Sequence, residues 1–119
     1  MSMRKRLGRE GERFAERYLK KKGYRILAIN YRCALGEIDI IARDGEEIVF
    51  VEVKTRRGNT FFSPEDAVNW KKQNRIKRLA LLYLKSNKLH DVPVRFDVIG
   101  LRLKEGQYVV EHIKDAFGF

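Results

Sequence analysis

The sequence predicts an α/β domain, a β-sheet flanked by helices. Two stretches of helical periodicity, a pair of alternating runs joined by a turn, and a β-rich C-terminal part give the element order αβββαββ. With 119 residues, the chain is long enough for a single domain, 1–119, with a modest core. It contains no internal repeat, low-complexity segment or linker.

The first helix is expected from about Arg4 to Lys22, with Gly23 as its stop. Leu7, Gly11, Phe14, Ala15, Tyr18 and Leu19 share one arc, and Glu12 lies at its edge. Glu12 reads either as an inward-facing carboxylate or as a surface residue paired with Arg9. Arg9 is the only opposite charge three or four positions away, and Glu16 would repel it. A first strand follows at Tyr24 to Ile29, leading through Tyr31 to Gly36 into a hairpin.

That hairpin holds the most chemistry. Ile38, Ile40 and Ala42 alternate with Glu37, Asp39, Ile41 and Arg43, and Val49, Val51 and Val53 alternate with Ile48, Phe50, Glu52 and Lys54. Alternation sends the first set of each strand to one apolar face and puts Asp39, Glu52 and Lys54 on the other. With Asp44 to Glu47 as the loop, Arg43 pairs with Ile48 and Asp39 falls opposite Glu52. Facing carboxylates about 5 Å apart repel unless a cation lies between them. Hard oxygen donors at that separation suit Mg²⁺ or Mn²⁺, ions that assist phosphodiester hydrolysis. Lys54, on the same face, suits positioning of an attacking water better than general-base work. The plainer reading is a hairpin with one solvated face, although Ile41, Ile48 and Phe50 on that face call for a cover.

After Lys54 a loop is expected from Thr55 to Phe62, with Arg56 and Arg57 placed to hold phosphates and Phe61 or Phe62 free to stack or to pack inward. Ser63 and Pro64 read as an N-cap and first helical position, opening a helix to Leu84 or Asn87. Val68, Ile76, Leu79, Ala80, Tyr83 and Leu84 form its buried arc, and Trp70 is assigned to core or helix-edge packing. Lys71, Arg75, Arg78 and Lys85 form a basic stripe into which Leu82 intrudes, read equally as a solvated face or a phosphate contact. Lys72 and Gln73 interrupt the apolar arc, and either can point at the hairpin. Strands from Val92 to Leu103 and Tyr108 to Ile113 close the chain. Asp97 is left open as a buried acid or a strand-end charge, and His90 and His112 read as structural.

Lys and Arg number 26 against 16 Asp and Glu, a net charge of +10, which favours a polyanionic partner, nucleic acid above all. No apolar run approaches the roughly 20 residues of a membrane helix and no signal core follows Met1, so a cytoplasmic protein away from membranes is expected. The lone Cys33 excludes an internal disulfide and a multi-cysteine zinc site.

Gly11-Glu12, Gly36-Glu37-Ile38-Asp39 and Glu52-Val53-Lys54-Thr55 together resemble the bacterial YraN-type family, over nearly the whole chain to Asp115-Ala116-Phe117. That family resembles the PD-(D/E)xK, or restriction-endonuclease-like, nucleases and the archaeal Holliday junction resolvases. The resemblance implies a restriction-endonuclease-like central mixed β-sheet flanked by α-helices, and Mg²⁺- or Mn²⁺-dependent cleavage of DNA, including branched or junction structures. It implies Glu12, Asp39 and Glu52 as metal ligands, Lys54 as the lysine of the motif, and Gln73 as a polar residue on the following helix. Ile38 stands where the superfamily pattern has proline, and residues 30–35 lack the resolvases' serine. Symmetric cutting of a junction would require a homodimer. Two other readings are a non-catalytic nucleic-acid-binding adaptor on the nuclease fold and an RNA-associated basic protein.

Overall fold

The computed structural model describes residues 3–58 and 68–119, the side chains of residues 3–7 excepted. The expected contribution of Leu7, the packing of Phe61 and Phe62, and the Ser63-Pro64 helix start lie outside the described residues. The elements follow in the order α1 (Met3–Lys21), β1 (Arg25–Cys33), β2 (Gly36–Asp44), β3 (Glu47–Arg57), α2 (Trp70–Ser86), β4 (Val94–Lys104) and β5 (Gln107–Phe117). The strands form one sheet in the order β1-β2-β3-β4-β5, with β3 and β4 parallel and every other pair antiparallel. This is the α/β class the sequence predicts, a mixed sheet flanked by helices.

Each helix covers one face. Ala15 and Leu19 of α1 pack on Ile40, Ala42, Val49, Val51, Ile99 and Leu101. Ile76, Leu79, Ala80 and Tyr83 of α2 pack on Ile41, Ile48, Phe50, Phe96 and Val98. Both faces of β2 and β3 are therefore apolar, because a strand buried on both sides needs no polar alternation. Helix α1 is joined tightly to β1: the amide of Tyr24 donates to the carbonyl of Leu19 at 3.0 Å, closing the helix as its sequence signal suggests.

Several boundaries differ from expectation, and β1 and β5 run on to Cys33 and Phe117. The β2–β3 turn has two residues, since Asp44 pairs with Glu47, but the register Arg43↔Ile48 is the expected one. The segment after Lys54 is not yet a loop: β3 runs on to Arg57, drawn out by pairing with β4 from Thr55↔Leu101 to Arg57↔Leu103. Helix α2 starts at Trp70, where the Asn69 side chain accepts from the Lys72 amide at 2.9 Å, so Val68 is buried ahead of the helix rather than on it. Among the described residues, no helix is long and apolar enough to cross a membrane.

Candidate metal centre

The site forms where β2 and β3 part. Their ladder ends at Ile40↔Val51. Beyond it the carboxylate of Asp39, through Oδ2, accepts from the amide of Val53 at 2.8 Å, substituting a side chain for the missing backbone partner. Ile38 then packs with Ile41 and the α2 cluster, not beside Ile40 as regular alternation would have it. The parting of the strands leaves room for side chains from both helices.

Helix α1 supplies Glu12. Gly11 lets the helix approach: a Cβ there would overlap the Thr55 hydroxyl and lie 3.3 Å from Leu101 Cδ1. Any side chain at that position would push α1, and Glu12 with it, away from the sheet. With this close approach, Glu12, Glu37 and Asp39 each present an oxygen within 4.8 Å of the others. Asn30 joins two of them. Its backbone has φ of 52°, and its amide, with nitrogen turned toward the acids, reaches Glu12 Oε1 at 2.8 Å and Glu37 Oε1 at 3.0 Å. Arg32 donates to Glu37 Oε2 at 2.7 Å. A cleft of about 420 Å³, lined by Gly8, Arg9, Glu12, Asn30, Arg32 and Glu37, opens over this edge.

Glu52 on β3 is only 4% exposed. Its Oε2 is paired with Lys72 Nζ of α2 at 3.1 Å, whereas its Oε1 is buried with no hydrogen-bond partner among the described residues. A buried carboxylate oxygen without a partner is costly, and this one is available to a cation.

The charges are crowded against their preferences. Burial, followed by the charges of Asp39 and Glu37, raises the Glu12 carboxyl to about 7. Asp39 and Glu52 are also raised, burial being the main cause for each and the Asp39 charge adding to it at Glu52. Lys54 is lowered by burial and by the nearby cations Lys72 and Arg56, against the pull of Glu52 and Asp39. Such clusters of displaced acids and a displaced lysine are typical of sites that bind or react.

A pH dependence follows. A carboxyl raised in the folded state contributes stability in full below its unfolded value, 4.5 for Glu12, and loses it as pH rises through about 7. Metal-free protein should therefore lose several degrees of Tm between about pH 5 and 8. Glu12→Gln should flatten that slope in thermal melts run in EDTA. Equal slopes for the two proteins would remove Glu12 from the cluster.

Of the expected residues, Glu12 and Asp39 meet directly, and Glu52 and Lys54 stand beside them at the start of the unpaired side of β3. The third member of the tightest cluster is Glu37, not Glu52. Gln73 donates to the carbonyl of Val68 at 3.0 Å, and it is Lys72 that reaches the acids. Arg56 and Arg57 lie exposed at the end of β3, and Lys71, Arg75, Arg78 and Lys85 lie exposed along α2. Trp70, expected to pack, is 74% exposed, because α2 starts at this residue and its first turn stands clear of the core. Glu37 was legible as a second acid two residues from Asp39. Lys72 was legible, with Gln73, as a break in the apolar arc of α2, and Asn30 carries no comparable signal.

A mixed sheet with a helix on each face and carboxylates converging where two strands part defines a small α/β protein with a candidate divalent-cation centre. Residues 11–101 match the uncharacterised protein family UPF0102, and the chain belongs to this family, the YraN-type family its motifs resemble. It is 52% identical over 117 residues to a UPF0102 protein of Alkaliphilus oremlandii, covering 97% of this chain and all of that one. It is 50% identical to one of Syntrophus aciditrophicus, covering 98% and 92%. Among solved structures it is similar to Pyrococcus furiosus SfsA in complex with Ca²⁺, at 14% identity and a TM-score of 0.35, covering 92% of this chain and 63% of that one. That likeness is too loose to bear on the site.

Proposed function

We propose that this protein is a divalent-metal-dependent nuclease hydrolysing DNA phosphodiesters, at branched or otherwise irregular structures. The observation that carries the proposal is the set of four acids gathered at one strand split with too few cations, including the orphaned Oε1 of Glu52. The donor set fits a hard cation: oxygen ligands only, at a separation that Mg²⁺ or Mn²⁺ can bridge. Glu12, Glu37 and Asp39 would hold it, with Glu52 adjoining. Such an ion supplies charge against a phosphodiester under attack and a more acidic bound water.

The chain's own residues do the rest. Lys54, partly buried and lowered, orients the attacking water and offsets charge on the phosphate. Lys72 pairs with Glu52 and holds it in place. Arg9 and Arg32, at the rim of the cleft over Glu12 and Glu37, hold the backbone of the substrate. Asn30, bridging Glu12 and Glu37, keeps both acids turned inward.

The test is a Mn²⁺ titration by calorimetry, followed by cleavage assays on duplex, single-stranded and four-way-junction DNA with Mg²⁺, Mn²⁺ or EDTA. The expected result is saturable metal binding and metal-dependent cleavage of at least one substrate. Salt-sensitive DNA binding with neither would favour a non-catalytic adaptor on the same fold. If junctions are cut symmetrically, the active species should sediment as a homodimer.

A further inference from the structure

The most exposed aromatic residue among those described sits beside the basic stripe. Trp70, the only tryptophan in the chain, opens α2 with most of its ring in solvent. It lines a cleft of about 350 Å³ with Leu35, Lys71, Asn74, Arg75 and Arg78. Three of these six residues are cations and none is an acid. Leu35, in the turn before β2, is itself 46% exposed. An indole left in water beside a row of guanidinium and ammonium groups has little structural reason to be there, since a tryptophan ordinarily buries its large apolar surface.

The cleft borders the start of the strand that carries Glu37 and Asp39. The stem of Arg75 lies across Gly36: a Cβ there would lie 3.0 Å from Arg75 Cδ, and the φ of 140° at this position itself favours glycine. Gly36 precedes Glu37, a member of the cluster. On the same helix, Lys72 pairs with Glu52 at 3.1 Å. Helix α2 thus faces the reactive edge with Lys72 and the cleft with its neighbours.

We infer that this cleft binds an unpaired stretch of DNA strand, with a base stacked on Trp70 and the flanking phosphates held by Lys71, Arg75 and Arg78. Paired bases in a duplex hide their faces, so a duplex would engage the cations and leave the indole idle. An unpaired strand engages both. The inference rests on the nuclease reading for its position beside the site, and it names the substrate class as one with single-stranded character. A strand lying in the cleft would cross the Leu35–Gly36 turn and reach the carboxylates.

Because Trp70 is the sole tryptophan, its intrinsic fluorescence reports on the cleft directly and without catalysis. The experiment titrates the full chain, in EDTA at low salt, with oligo-dT and with a hairpin duplex of equal length, while anisotropy of labelled DNA measures binding. Oligo-dT should quench the emission saturably, and the duplex should quench it much less. Trp70→Ala should weaken oligo-dT binding about 10-fold, with duplex affinity unchanged, and Trp70→Phe should recover most of the loss. Oligo-dT that binds without quenching, or a duplex that quenches equally, overturns the inference, as does the absence of any oligo-dT binding. Tighter binding of oligo-U than of oligo-dT overturns the assignment to DNA. Cleavage of duplex DNA without quenching would leave the nuclease reading standing and sink this one, whereas quenching without cleavage in any metal would do the reverse.

Discussion

Asp39→Asn is expected to abolish metal-dependent cleavage, by about 10³-fold or more, and at the same time to raise the Tm of metal-free protein by a few degrees. The two effects have one cause. Asp39 adjoins Glu12, Glu37 and Glu52, and burial with this repulsion lifts the carboxyls of Asp39, Glu12 and Glu52 above their ordinary values. An amide at position 39 keeps the acceptor for the Val53 amide but removes the charge. Relief of repulsion stabilises the folded chain, and loss of the central anionic ligand removes several kcal/mol of transition-state stabilisation, on the order of 4 for a 10³-fold change. Melting curves in EDTA and in Mg²⁺ distinguish this from simple damage. Wild type should gain Tm on adding metal, and the variant should gain little. An Asp39→Asn protein that cleaves at the wild-type rate would refute the metal-centre account. Sites that sacrifice stability for reactivity behave in this way.

Much of that site was legible because the hairpin register was. Arg43↔Ile48 follows from the short Asp44–Glu47 segment whether the turn is counted as two residues or four, although the ladder stops at Ile40↔Val51, one pair short of the expected Asp39 and Glu52. Glu12 was legible from its place at the edge of an apolar arc, and Gly11 beside it has its reason in the close approach to Thr55. What the sequence could not show depends on long-range geometry. Whether Lys72 or Gln73 reaches the acids depends on the rotation of α2, and that is set by where the helix begins, at the Asn69 cap. The exposure of Trp70 has the same origin. The left-handed backbone of Asn30 inside a strand has no periodic signature at all. Nor did alternation reveal that Ile38 would leave the face of Ile40, because the switch occurs where the β2–β3 ladder stops.

The other buried acid makes a contrast with the candidate site. Asp97, 1% exposed, was indistinguishable in sequence from a strand-end charge, yet it is fully matched. Arg95 Nε donates to its Oδ1 at 2.9 Å and Arg95 Nη2 to its Oδ2 at 3.1 Å, the Asp115 amide donates at 3.0 Å, and His112 Nε2 lies 2.7 Å away. The same guanidinium donates to Asp44 at 3.0 Å, Glu47 at 3.1 Å and the Tyr24 hydroxyl at 2.7 Å. With Asp97 ionised, His112 carries its proton on Nε2 and accepts from the Tyr18 hydroxyl on Nδ1, at 3.1 Å. Burial pushes the Asp97 carboxyl up, but the hydrogen bonds from His112, Arg95 and the Asp115 amide outweigh it, and the net direction is down. A lowered carboxyl contributes stability above its unfolded value, near 3.9, and loses it as pH falls below that. This network therefore weakens in acid, whereas the cluster around Asp39 weakens toward alkaline pH.

Arg95→Leu should accordingly cost about 3–5 kcal/mol, the usual result of leaving a buried partner uncompensated. For a domain of this size that lowers Tm by well over 10 °C. The double variant Arg95→Leu/Asp97→Leu should recover part of the loss, since a matched apolar pair no longer buries a lone charge. Urea unfolding of the two single variants and the double variant measures the coupling. A cost below about 1 kcal/mol for Arg95→Leu would show that the network is not what holds β4 to β2 and β5. Two buried acid groups thus sit on one sheet, one neutralised on all sides and one left short of cations. The first has the energetics of a structural lock. The second has an unmet demand for positive charge, which a divalent ion would satisfy.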